Sequence, residues 1–188
     1  MAEVDSTLEV TKYLQKSLPY VDKDRTAIWG WSYGGYLSLS TLISDKQNIF
    51  KCGASVAPVT DWTLYDTYYT ERYMGLLDDN INGYNRARVF HKLNNLSKYN
   101  KKYFVAHGTH DDNVHFQQSM VSFQRPFACS IIFIKFDSNQ NSSSYIFLFV
   151  SVTLSSSGRK RYSISSTRIS RSRSRDRNVS STSLSYIN

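Results

Sequence analysis

Residues 27–37, AIWGWSYGGYL, constrain this chain more than any other stretch. They contain Gly30, Ser32 and Gly34 in the pattern Gly-x-Ser-x-Gly. The residues leading in, Thr26 to Trp29, are apolar and β-prone. The residues leading out, Tyr36, Leu39, Leu42 and Ile43, recur at helical spacing. A buried strand must therefore bend into a helix, with Ser32 at the bend. So tight a turn brings backbone segments together, and a Cβ at either glycine would clash. The serine hydroxyl is then held clear of the sheet. The next backbone N–H lies beside it, a layout suited to attack on a carbonyl. Ser32 is the candidate nucleophile.

The chain around this turn predicts an α/β fold. Val4, Leu8, Thr11, Leu14 and Leu18 share one helical face, and Pro19 ends that helix. A loop at Asp45–Asn48 follows the serine helix. Phe50–Ala57 reads as a second strand, stopped by Pro58, and Tyr103–His107 as a third. Strand, helix, strand, segment, strand implies a parallel sheet with right-handed crossovers. Residues 58–77 are rich in rings: Trp62, Tyr65, Tyr68, Tyr69 and Tyr73. They suit either core packing or a pocket wall, and their place just after a strand favours the wall. After the third strand, Asp111 and Asp112 sit side by side in a loop. Either could cap a helix beginning near His115. His91, His107, His110 and His115 show no metal-ligand spacing, and no cofactor is expected.

Composition divides the chain. The net charge is +8, yet acidic and basic side chains balance through Met120. The excess lies beyond, mainly in Arg159–Arg177. Residues 1–120 read as a partial α/β domain. Residues 121–150 form an apolar segment of unknown structure, with short β-type runs at Ile131–Phe136 and Tyr145–Val150. Residues 151–188 are Ser- and Arg-rich, too polar to bury a core, and are expected to be a disordered tail. Residues 171–175, RSRSR, resemble the Arg/Ser repeats of RNA-processing proteins, and basic segments bind nucleic acid through counterion release. No folded RNA-binding motif accompanies them, and no nucleic-acid partner is expected. Cys52 and Cys129 are too few for a disulfide scaffold. Neither a signal peptide nor a long apolar span is seen.

Three stretches carry a resemblance. Residues 28–36 (IWGWSYGGY), 69–75 (YTERYMG) and 107–119 (HGTHDDNVHFQQS), in this order and spacing, resemble the dipeptidyl peptidase IV family. That family is a branch of the prolyl oligopeptidase-type serine peptidases. The resemblance covers residues 1–120 and implies an α/β-hydrolase fold with a truncated, mostly parallel sheet. It implies release of N-terminal dipeptides after Pro or Ala by a Ser/Asp/His triad. Ser32 would be the nucleophile and Asp111 the acid that orients the histidine. Tyr33, Val59, Trp62, Tyr65 and Tyr69 would form the proline pocket, with Asn113 and Val114 at its edge. A proline ring has no polar handle, so an apolar aromatic pocket suits it. Asp112 is left structural, and Tyr73 and Met74 are read as core. The resemblance also implies peptide substrates with Pro or Ala second, frequent homodimers, and a secreted or single-pass plasma-membrane location. The membrane would be reached only through regions outside these residues. Asn95, Asn141 and Asn178 lie in Asn-x-Ser sequons, relevant to an exported glycoprotein.

The sequence also departs from the family. Family members place the histidine tens of residues beyond the aspartate loop, yet no histidine follows His115. The resemblance stops at Ser119, as a reading-frame change would produce. Without a base Ser32 stays a poor nucleophile, so this chain is expected to be inactive by itself. His107, His110 and His115 flank Asp111 too closely to lie between it and the serine. The family pairs the cysteine at Cys52 with one near its C-terminus. That partner is missing here, and a free thiol is expected. Missing strands leave unpaired sheet edges, which predicts poor solubility. A non-catalytic peptide-binding relative is the alternative reading.

Overall fold

The computed structural model describes residues 1–123, and the backbone of residues 130–137, 144–154, 160–171 and 177–187. The elements run α1 (Ala2–Ser17), β1 (Ala27–Trp31), α2 (Tyr33–Ser44), β2 (Cys52–Val56), α3 (Thr67–Met74), α4 (Ile81–Ala87) and α5 (Asn94–Lys98). They continue with β3 (Lys102–Gly108), α6 (Gln117–Phe123), β4 (Ser130–Asp137), β5 (Ser144–Leu154), β6 (Lys160–Arg171) and β7 (Arg177–Ile187). Short 3₁₀ turns occur at Trp62–Leu64 and Phe90–Lys92.

The strands form one seven-stranded sheet in sequence order. Pairing is parallel from β1 through β4 and antiparallel from β4 through β7. The parallel part is the predicted α/β core, in which Trp29 lies opposite Ala54 and Ala54 opposite Phe104. Strands β6 and β7 pair along Arg161–Arg171 and Arg177–Ile187, within the stretch that composition reads as a tail. The expected division at residues 120 and 150 crosses this sheet.

Helix α2 is the centre of the core. Tyr36, Leu39, Leu42 and Ile43 are all buried, packed with Leu93, Leu96, Tyr103 and Val105. The helix is apolar nearly all round because it lies between the sheet and α1 and α5. Its C-terminal loop is held by a buried ion pair. Lys101 Nζ lies 2.7 Å from Asp45 Oδ2, with both side chains fully buried. Lys101 also donates to Asn48 Oδ1 at 2.9 Å and the Phe50 carbonyl at 2.5 Å. Asp45 accepts from the Ile49 and Phe50 N–H groups. Such complete pairing is what makes two buried charges tolerable.

Burial on β1 alternates. Ile28 packs against the core, whereas Trp29 and Trp31 are 73% and 65% exposed. Strand β1 is an edge of the described sheet. Of the predicted apolar face of α1 only Val4 is fully buried, and Leu14 is exposed. Cys52 is a half-buried free thiol, while Cys129 lies outside the described residues. Asn95 donates its Nδ2 to the Ile43 carbonyl at 3.1 Å, so that sequon nitrogen already clamps α5 to α2. No helix among the described residues is long and apolar enough to cross a membrane.

Candidate active site

The turn at Ser32 has the predicted form. Ser32 sits at φ 55° and ψ −118°, between β1 and α2. Its N–H donates to the Val56 carbonyl at 2.9 Å, and its own carbonyl accepts from Tyr36 N–H at 3.1 Å. One residue thus ends a strand and starts a helix, in a conformation serine rarely adopts. A Cβ on Gly30 would come within 2.2 Å of the Gly34 carbonyl oxygen, which explains the first glycine, whereas a Cβ on Gly34 would meet nothing within 4 Å, so the clash expected there does not arise. Gly35, just past the motif, lets α2 approach Pro58, whose Cα would lie 3.1 Å from a Cβ there. Tyr33 opens α2, so its N–H has no carbonyl one turn back to bond.

The rings after β2 form one continuous wall. Trp62 is buried and meets Tyr33 at 6.1 Å, Tyr36 at 5.1 Å, Tyr65 at 6.0 Å and Tyr69 at 6.0 Å. The Trp62–Tyr69 pair is stacked, and Tyr65 meets Tyr69 edge-on at 5.6 Å. Val59 lies behind the wall in the core. Burial raises the pKa of Tyr33, Tyr36 and Tyr65, keeping these phenols neutral. A cavity of about 890 Å³ opens against this wall. Tyr33, Trp62 and Tyr69 line it, together with Tyr36, Tyr73 and Arg86, whereas Val59, Tyr65, Asn113 and Val114 do not. Tyr73 was read as core; it is 68% exposed and stands 4.9 Å from the Tyr69 ring. It lies one helical turn past Tyr69 on α3, so it extends the wall outward. Met74, also read as core, packs against the core and lines the cavity as well.

The loop after β3 is polar. Asp111 Oδ1 accepts from Asn113 N–H at 3.1 Å and Val114 N–H at 2.9 Å. The aspartate thus organises its own loop instead of capping the helix, which begins at Gln117. Asp112 is exposed. Tyr65 O–H donates to Asn113 Oδ1 at 2.8 Å and joins the ring wall to this loop. His107 is buried beneath, with Nδ1 2.7 Å from Ser119 Oγ and Nε2 2.7 Å from the Val114 carbonyl. A carbonyl only accepts, so Nε2 carries the proton and Nδ1 accepts from Ser119. Asp111 Oδ2 stands 3.6 Å from Nε2. Burial nevertheless holds the His107 pKa below its ordinary value, against the opposing pull of the Val114 carbonyl and Asp111.

The structure therefore joins Tyr33, Trp62, Tyr65, Tyr69 and Asn113 through ring contacts and one hydrogen bond, and Val114 to Asp111 through another. Ser32 Oγ has no hydrogen bond to a histidine or carboxylate among the described residues, and both His107 nitrogens are already engaged. Among the described residues no cluster of three or more His, Cys, Asp or Glu could hold a metal. Tyr36 and Arg86 were missed as cavity residues. Tyr36 falls within the motif helix, where its spacing reads only as core.

A serine at a strand-to-helix turn, followed by a ring wall and an acidic loop after the next two strands, defines a truncated α/β-hydrolase fold. The model of the prolyl oligopeptidase family matches residues 1–125, and the chain belongs to that family of serine peptidases. Venom dipeptidyl peptidase 4 of Vespa velutina is 48% identical over 120 residues, 63% of this chain and 15% of the relative. Dipeptidyl peptidase 4 of Bos taurus is 47% identical over 119 residues, 62% of this chain and 15% of the relative. The crystal structure of Porphyromonas gingivalis dipeptidyl peptidase 4 superposes with a TM-score of 0.60 at 37% identity, covering 69% of this chain and 18% of that one. The chain thus spans about 15% of the length of these curated relatives.

Proposed function

We propose that residues 1–120 are the nucleophile-and-pocket part of a dipeptidyl peptidase. Ser32 attacks the carbonyl after the second residue of a peptide, and Asp111 orients the imidazole that takes the serine proton. The Tyr33 N–H is the oxyanion donor, at the positive end of the α2 dipole. Tyr33, Trp62 and Tyr69, which line the cavity, hold a proline or alanine side chain, backed by Val59 and Tyr65, with Val114 at the edge and the Asn113 amide on a substrate carbonyl. The reading rests above all on the Ser32 backbone, held in a strained conformation that a merely structural serine has no reason to adopt. Within these 188 residues no imidazole reaches Ser32, so we infer that this chain binds such peptides without cutting them. The same resemblance supports homodimers and a secreted or membrane-anchored location for a complete family member.

A fluorophosphonate probe tests the chemistry. The chain should label no more than its Ser32→Ala variant, because an unactivated serine reacts orders of magnitude more slowly. Ser32-dependent labelling overturns the inactive reading. Calorimetry with a proline-containing peptide tests the pocket: binding without turnover is expected, abolished by Tyr69→Ala.

A further inference from the structure

Gln118 is fully buried. It lies outside the ring wall and the Asp111 loop, on α6, yet its side chain makes bonds no core residue needs. Its Oε1 accepts from the Thr60 N–H and the Asp61 N–H, both at 2.9 Å. Its Nε2 donates to the Asp61 carbonyl at 3.1 Å. Thr60 Oγ1 donates in return to the Gln118 carbonyl at 2.5 Å. Thr60 and Asp61 are the residues between Val59 and Trp62. Asp61 continues the chain of bonds, accepting from Thr63 N–H at 2.9 Å and pairing with Arg88 at 2.8 Å. One amide side chain thus fixes the backbone from which Trp62 projects.

The next residue grips the opposite side. Ser119 is buried and bonds His107, His107 bonds the Val114 carbonyl, and Val114 N–H bonds Asp111. Consecutive residues of α6 therefore hold the ring wall and the Asp111–Val114 loop. The direct bond between those two parts, Tyr65 to Asn113, is exposed and exchanges readily with water. A neutral amide accepts two N–H groups and donates to a carbonyl in one buried place without burying a charge.

We propose that Gln118 is a positioning residue that holds the backbone carrying Trp62 and so fixes where that ring stands in the wall of the cavity. This rests on reading that cavity as the proline pocket. A residue serving packing alone would lower stability and leave the folded protein's affinity unchanged.

The test uses the full chain with Trp29→Phe and Trp31→Phe, leaving Trp62 as its single tryptophan. Peptide affinity is measured by calorimetry with Ala-Pro amide, and the ring's surroundings by Trp62 emission. Gln118→Met should weaken binding about tenfold or more and shift the emission, since small displacements in a fitted site carry large penalties. Lys101→Met breaks the distant ion pair and should lower the melting temperature with affinity and emission unchanged. If Gln118→Met does not fold, Thr60→Ala, which removes one bond of the clamp, should show the same shift to a smaller degree. Wild-type affinity and emission in folded Gln118→Met, or losses matched by Lys101→Met, overturn the proposal. If the parent chain fails to bind Ala-Pro amide, the pocket reading falls. The emission comparison then decides the clamp alone: a shift in Gln118→Met upholds it, and none refutes it.

Discussion

The loops after β2 and β3 lie on the same side of the sheet and are held by different forces. The first is a run of rings with centroids 4.9 to 6.1 Å apart. The second is a set of hydrogen bonds of 2.7 to 3.1 Å centred on Asp111 and His107. Ring packing is broad and non-directional, so it adapts to a guest and fails gradually. Buried hydrogen bonds are directional, and an unmet partner is penalised at once. An apolar wall is suited to holding a ring of variable fit. A polar loop is suited to aiming one charge. That contrast supports the proposed division of labour between pocket and acid.

The contrast is sharpest if the largest loss comes from the wall. Trp62→Ala deletes a buried ring with four ring partners and should cost about 3–5 kcal/mol in urea unfolding. A loss below that of any substitution in the polar loop would break the comparison.

His107→Gln should cost about 1–3 kcal/mol near neutral pH, as two buried partners lose their bond. Its signature is the pH profile. The folded pKa of His107 lies below the ordinary 6.5 that the unfolded chain takes. The unfolded state therefore binds the proton first, and the stability due to neutral His107 is complete above 6.5 and lost as pH falls below it. Melting temperature should decline from pH 7 to 5 in the native chain and decline less in His107→Gln. Equal slopes would remove histidine from the account of this loop.

Asp111→Ala should cost about 1 kcal/mol, because the Asn113 and Val114 N–H groups lose their acceptor. Asp111→Asn retains an oxygen there and should be nearly neutral in the same unfolding assay, so loop structure and any role of the charge separate. Smallest is Tyr65→Phe, which loses one exposed hydrogen bond, and about 0.5 kcal/mol is expected. A loss as large as that of Trp62→Ala would show that the wall, too, depends on directional bonds.

The motif around Ser32 was readable because its first glycine is dictated by contact with neighbouring backbone, a constraint that writes itself into residue type. The ring wall was readable because aromatic residues crowd just after a strand. Gln118 was not. It resembles any polar residue on a helix, and its partners Thr60 and Asp61 are 58 and 57 positions away, bonded through main-chain atoms that leave no trace in composition. The Lys101–Asp45 pair escaped for the same reason, since its partners lie 56 positions apart. Asp111 was legible as important, but its bond to amides two and three residues on imitates a helix cap in the bare sequence.

The twisted backbone at Ser32 sets durability against chemistry at a single position. Positive φ comes cheaply to asparagine, as at Asn48 and Asn100, and most cheaply to glycine, but not to serine. Ser32→Gly should therefore melt above Ser32→Ala, even though both lack the hydroxyl. A library screened only for survival on heating should drift toward glycine at position 32, discarding the hydroxyl on which the proposed chemistry depends.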